Sequence, residues 1–242
     1  MSDDDSQLRT DLAAAFRLAA RFGWHESIAN HFSVAVSDDG GHFLLNPWGL
    51  HFSEIRARDL LVVDTKGEVV EGEGEVDQTA ACIHGPIHAR LSHARCVLHT
   101  HMPYATALAS LEGMRLEPIH QNATRFYDLV AYDDEFGGLA LEVDEGERIC
   151  AALGNKSALF MANHGVTVVG GSVAEAFDDL YYLEMACRNQ VLALSTGRTL
   201  KPMPETVARK TAEQWRQCWE PETHFAALKR ILDREEPDYA DL

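Results

Sequence analysis

Two histidines one residue apart, His99-Thr100-His101, follow the apolar run Val97-Leu98. On a strand, residues i and i+2 point to the same face, so both imidazoles can converge without special backbone geometry. A third histidine stands in Asn163-His164-Gly165, at the end of the apolar run Ala158-Leu-Phe-Met-Ala, where the glycine lets the chain turn and leave the ring facing a cleft. Three imidazoles with no neighbouring Cys pair suit Zn, Fe(II), Mn, Co or Ni and do not suit an iron–sulfur centre. The competing reading is a half-exposed strand histidine with no ligand role. The chain holds 12 His in 242 residues, and imidazole is the commonest metal ligand.

The elements that must position these rings follow from periodicity. Leu12, Ala15, Phe16, Ala19 and Ala20 recur at helical spacing before Gly23, which predicts an amphipathic helix over Leu8–Arg21. Phe32–Val36, His42–Asn46 and Asp59–Asp64 read as short strands, with Thr65-Lys-Gly-Glu as a hairpin turn before Val69-Val70. Beyond them strand and helix alternate: a helix over Gln78–Ser92 despite Pro86, a strand over Cys96–His101 stopped by Pro103, and a short helix over Tyr104–Leu111. A helix over Gly146–Leu153, strands over Ala158–Ala162 and Val166–Val169, and the longest helix, Val173–Leu194, follow. A helical extension from about residue 201 should end in a frayed acidic tail after Leu232.

Composition bounds the rest. Hydrophobic residues make up 46% and charged residues 24%, which is ordinary globular composition; the absence of repeats or a long linker predicts one domain over 1–242. Lys and Arg number 21 against 38 Asp and Glu, a formal charge of −17 that repels nucleic acid and anionic membrane. No run approaches the roughly 18–20 apolar residues of a membrane span, and Met1-Ser-Asp-Asp-Asp is acidic where a signal peptide would be basic. A cytoplasmic protein is expected. Five widely spaced cysteines (82, 96, 150, 187, 218) read as reduced thiols, mostly buried.

Several segments in order and spacing resemble the class II aldolase/adducin superfamily from Leu12 to Gly197: Ala29-Asn30-His31-Phe32-Ser33, Leu45-Asn46-Pro47-Trp48-Gly49, Asp59–Asp64 with Gly67, the helix leading to Ile83-His84, Val97–His101, Asn163-His164-Gly165 and Glu175-Ala176-Phe177. The resemblance implies a three-layer α/β/α domain around a largely antiparallel sheet. It also implies one divalent metal per chain, Zn first, on His99, His101 and His164, and a homotetramer with active sites between neighbouring subunits. Asn30, Trp48, Gly49 and Gln121 become substrate-binding candidates, although Asn30 and Gly49 could equally do no more than make turns. The segment Pro118–Tyr127 resembles the family stretch that lines the site or reaches a neighbour, and Tyr127 there could orient or protonate an oxygen.

One departure bears on chemistry. Sugar-phosphate aldolases of the family carry a Glu four residues before the helix histidine, where this chain has Ala80; their Ser-Ser pair is Gln78-Thr79 here, and Trp48 replaces a small hydroxyl. Asp77, Glu75 and Glu73 are candidate replacements for that carboxylate, or else a solvated acidic loop. His84 could supply a hydrogen bond behind the metal, act as general base or add a fourth ligand, whereas His88, one turn on, reads as a surface or packing residue. The expected activity is a metal-dependent C–C bond-cleaving lyase on a small oxo- or hydroxy-carbonyl compound, not a typical sugar phosphate. The alternatives are a non-haem Fe(II) oxygenase of a 2-oxo or hydroxy acid, as the resemblance of Val76-Asp77-Gln78 and Pro118–Tyr127 to the aminocoumarin oxygenases implies, and a non-catalytic adducin-like interaction module.

Overall fold

The computed structural model describes residues 3–242. Helix α1 (Asp3–Phe22) buries Leu12, Ala15, Phe16 and Ala19 and ends where Gly23 takes a φ of +70°. Strands β1 (His31–Ala35), β2 (His42–Leu45), β3 (Leu61–Asp64) and β4 (Val69–Glu71) form an antiparallel meander. Helix α2 (Gln78–Arg90) then leads to β5 (Cys96–Thr100), α3 (Pro103–Ala109), β6 (Val130–Asp133) and α4 (Val143–Leu153). Strands β7 (Ala158–Met161) and β8 (Gly165–Gly170) precede the long helix α5 (Val173–Leu194), and α6 (Glu205–Cys218) and α7 (Pro221–Glu235) complete the chain.

The eight strands make one sheet in the order β4-β3-β2-β1-β5-β8-β7-β6, antiparallel throughout except for the parallel β6–β7 pair. Strand alternation sorts side chains between two layers of helices. Phe32, Val34, Leu98, Val166 and Val168 face α1, α3, α5 and α7 in one large apolar cluster. Val97, Leu159 and Val169 face α2 and α4 in a second cluster. The expected three-layer architecture around a largely antiparallel sheet is the one observed. No helix among the described residues is long and apolar enough to cross a membrane.

Two expectations change. The strand with the histidine pair ends at Thr100, so His101 lies just beyond it, where the chain turns into the Pro103-led helix. The C-terminal tail is not frayed. Tyr239 is buried against the α1 layer and donates to Asp233 at 2.8 Å, Asp238 accepts from Arg17 at 2.9 Å, and the Asp241 carbonyl accepts from the Arg58 amide at 2.9 Å. Acidic composition suggested solvation, but two arginines and an apolar socket hold the tail. Tyr239→Ala is therefore expected to destabilise the protein by about 3–5 kcal/mol in urea unfolding, as for other buried aromatics; a change under about 0.5 kcal/mol would restore the frayed tail.

Candidate metal centre

Sheet register builds the site. Thr100 pairs with Val166 and Met161 with Gly165, so the exit of β5 and the turn between β7 and β8 lie side by side. Asn163 takes a φ of +56°, and its amide donates to the Ala109 carbonyl at 3.1 Å, which fixes the turn that presents His164. At Gly165 a Cβ would lie 2.7 Å from both the Thr100 carbonyl oxygen and the His101 ring, so only glycine allows the approach.

The three predicted ligands come together. Ring centroids of His99, His101 and His164 are 4.7–5.2 Å apart. One nitrogen from each can be chosen so that all three lie within 4.8 Å of one another; among the described residues no other group of three or more His, Cys, Asp or Glu does this. His101 Nε2 is buried without a hydrogen-bond partner, whereas buried polar atoms ordinarily have one. His99 Nδ1 lies 3.3 Å from the Thr167 hydroxyl, and its cross-strand partner is that same residue. Three neutral imidazoles, one with an orphaned nitrogen, fit a divalent ion. Burial keeps two of the rings neutral: it lowers His164 to about 4, with His101 adding to the shift, and drives His99 well below the ordinary imidazole range, His164 adding to that shift.

Behind the site lies a hydrogen-bonded chain that period-two alternation explains. His31 and Ser33 share the sheet face of His99, opposite Phe32 and Val34, and His31 is the cross-strand partner of His99, its ring stacked 4.8 Å away. From α2, His84 Nε2 lies 2.8 Å from His31 Nδ1, while Ser33 Oγ lies 2.5 Å from His84 Nδ1 and 2.7 Å from His88 Nε2. His31 Nε2 is 3.4 Å from the Thr79 hydroxyl, which donates to the Asp77 carboxylate. A carboxylate accepts only, so Thr79 must take its hydrogen bond from His31, and every step then runs one way: His88 to Ser33, to His84, to His31, to Thr79, to Asp77. His88 Nδ1, left without a partner, is then a bare acceptor.

That chain decides the other candidates. His84 is fully buried with both nitrogens committed, so it is neither an open-site base nor a fourth ligand but a support behind His31. His88 is a buried member of the chain and stacks on Phe43. Asp77 caps α2, accepting from the Thr79 and Ala80 amides, and the Ala80 methyl joins Phe43, Leu45 and Leu61. Asn30 is buried, its amide holding the Glu26 N–H at 2.7 Å and the Ala29 carbonyl at 3.1 Å, which is the turn-making role. Trp48 is exposed and Gly49 has a φ of +90°. Tyr127 and Gln121 are not brought to the triad of their own chain. Val130 pairs with Ala158 at the sheet end away from His164, Tyr127 Oη is 3.1 Å from both Glu205 and Arg209, and the Gln121 carbonyl accepts from Trp215.

Residues 10–191 match the model of the Class II Aldolase and Adducin N-terminal domain. The chain belongs to that family. A Caulobacter vibrioides protein named for the class 2 aldolases is 36% identical over the whole of this chain and 95% of its own. Decarboxylase NovR of Streptomyces niveus is 33% identical over 91% of this chain and 84% of its own. Among solved structures, an aldolase II superfamily protein of Pseudomonas syringae superposes with a TM-score of 0.92 at 38% identity, covering 100% of this chain and 98% of that one. The L-fuculose 1-phosphate aldolase of Glaciozyma antarctica gives 0.85 at 27% identity over 98% of this chain and 92% of its own.

Two measurements check the buried chain. Ser33→Ala leaves His84 Nδ1 and the His88 N–H facing each other without a partner, at about 1–3 kcal/mol for each stranded group; a loss under about 0.5 kcal/mol would mean that the serine is not a link. The second is pH. Burial holds His31 and His88 at about 3, His164 at about 4, and His84 and His99 also far below their ordinary value, so five rings stay neutral in the fold yet take up protons in the unfolded chain below about pH 6.5. Two groups work the other way: burial raises Asp179, with Asp178 adding to it, and Glu184 to about 7 each. Burial also lowers His25 and His120, so five less two leaves the unfolded state at least about three protons ahead near pH 5, and stability of the metal-free protein falls between pH 7 and 5, at about 1.4 kcal/mol per unit for each net proton. A urea midpoint that stays level or rises over that range would contradict this balance.

Proposed function

We propose that this chain is a metal-dependent lyase that breaks a C–C bond in a small oxo- or hydroxy-carbonyl compound. The observation that carries the reading is the convergence of His99, His101 and His164, with the His101 Nε2 atom buried and unpartnered. A divalent ion held there would supply Lewis-acid polarisation of a substrate oxygen and stabilise negative charge developing on it. The chain's own part is to present three imidazoles at the ends of interior strands and keep them from turning: Thr167 and the His31 stack hold His99, and the Asn163–Gly165 turn holds His164. Because His84 has no free nitrogen and Ala80 has no acid, neither of these two handles protons in the open site. Tyr127 and Gln121, at the other end of the sheet, would serve a neighbouring copy's triad in a cyclic homo-oligomer, with a tetramer as the proposed form.

Similarity to the protein named Decarboxylase NovR supports a second reading, in which the bond broken is that to a carboxylate of a 2-oxo acid, either with Fe(II) and O₂ or without them. Retention of the whole histidine triad supports either enzyme over an adducin-like interaction module.

Anaerobically purified protein is expected to hold about one divalent ion per chain, and His101→Ala or His164→Ala to empty the site while the fold persists. Fuculose, rhamnulose and ribulose phosphates should be cleaved negligibly with any metal, since a missing acid/base group is worth about 10²–10⁴ in rate. CO₂ release from 2-oxo acids without O₂ uptake would support the decarboxylase form, and coupled O₂ uptake the oxygenase. Full metal occupancy in His101→Ala, or efficient cleavage of a sugar phosphate, would contradict the proposal.

A further inference from the structure

Glu26 is a residue that neither histidine spacing nor the family motifs single out. Its Oε2 lies 2.6 Å from His101 Nδ1, on the ring whose Nε2 is the buried atom without a partner. We propose that Glu26 is a positioning residue for the metal centre: it accepts the Nδ1–H of His101, fixes that tautomer and leaves the Nε2 lone pair for the ion. The inference rests on the metal reading given above.

The backbone around Glu26 is shaped for this contact. The turn between α1 and β1 is tied to the ligand strand, because the Thr100 hydroxyl, one residue before His101, donates to the Trp24 carbonyl. Trp24 is itself buried, its ring against Phe22, Phe177 and Tyr181. On the other side of Glu26, the buried Asn30 side chain accepts the Glu26 N–H at 2.7 Å. Between the two anchors, Ser27 takes a φ of +54°, a conformation that a residue with a Cβ adopts only where its surroundings impose it. Four features of one short turn thus converge on placing a single carboxylate against a single imidazole. The chemistry of the pair is that of a carboxylate–histidine–metal arrangement, in which the carboxylate orients the ring, raises its basicity and offsets part of the ion's charge.

A structural role would look different. The Glu26 side chain is 68% exposed, and an ion pair so open to water adds little to folding. Removal should therefore act on metal binding and not on the fold. The test measures Zn²⁺ affinity by competition with a chromophoric chelator, the Co²⁺ absorption spectrum and the urea midpoint of the metal-free protein, for wild type, Glu26→Ala and Glu26→Gln. Glu26→Ala should weaken Zn²⁺ binding about 10–100-fold, the usual effect of losing such a partner. Co²⁺ band positions should stay near those of wild type, because the three ligands are unchanged, and the metal-free midpoint should not move. Glu26→Gln, whose amide oxygen still accepts the Nδ1–H, should recover part of the lost affinity. Wild-type affinity in both variants would overturn the role of Glu26, as would an affinity loss accompanied by an equal fall in the metal-free midpoint. Failure of the wild-type protein itself to bind Zn²⁺ or Co²⁺ would instead overturn the metal reading on which the inference stands.

Discussion

Between Gly165 and the end of β5 there is no room for a Cβ: one would meet the Thr100 carbonyl and the His101 ring at 2.7 Å. This contact between two strands distant in sequence brings His164 onto a pair of histidines that one strand could place but not complete. Pairing of β5 with β8 sets the register, Asn163 in its left-handed conformation turns the chain, and the glycine lets the two backbones close. Everything proposed for the site depends on that closure, since His99 and His101 alone offer two ligands and no enclosed position for a third. The motif Asn-His-Gly thus has a separate physical reason for each of its letters.

The sheet face beneath the triad is a second constraint. His31, His99 and Thr167 form a row across three strands, and α2 lays His84 and His88 over it. Neutral imidazoles in a dry interior are costly unless their nitrogens find partners, and a satisfied network is far less so than a broken one. The one-way chain from His88 to Asp77 meets that demand with one bare acceptor at its inner end. It also stiffens the support of His99, whose ring is held by a stack on one side and a hydroxyl on the other. With alanine at position 80, the chain thereby keeps a rigid face of histidines beneath the triad.

Much of this was legible in the residues themselves. The pair His99 and His101, the strand-end His164, the helix α2 and the loss of a carboxylate at Ala80 are local patterns, and the architecture followed from motifs in order. His31 and Ser33 were also visible in principle, as the polar positions of a strand whose Phe32 and Val34 face the opposite layer. Nothing local signalled that α2 would cover them with His84 and His88, because that needs the register of β1 against β5. Glu26 was hidden for the same reason: a turn residue gains its meaning only from the Thr100 and Asn30 contacts that aim it. Which copy's triad Tyr127 could face was not legible, because a motif match cannot say which end of a sheet a residue occupies, and the held tail was missed because acidic composition hides Tyr239.

The central claim is that three imidazoles, and no other side chain of this subunit, hold a divalent ion at the junction of β5 with the β7–β8 turn. X-ray absorption spectroscopy of the Zn²⁺-loaded protein tests it most directly. The account predicts three nitrogen scatterers at about 2.0–2.1 Å with the outer-shell pattern of imidazole, light-atom scattering for any remaining position, and no sulfur at about 2.3 Å. A sulfur shell, or fewer than three imidazoles at full occupancy, would contradict it.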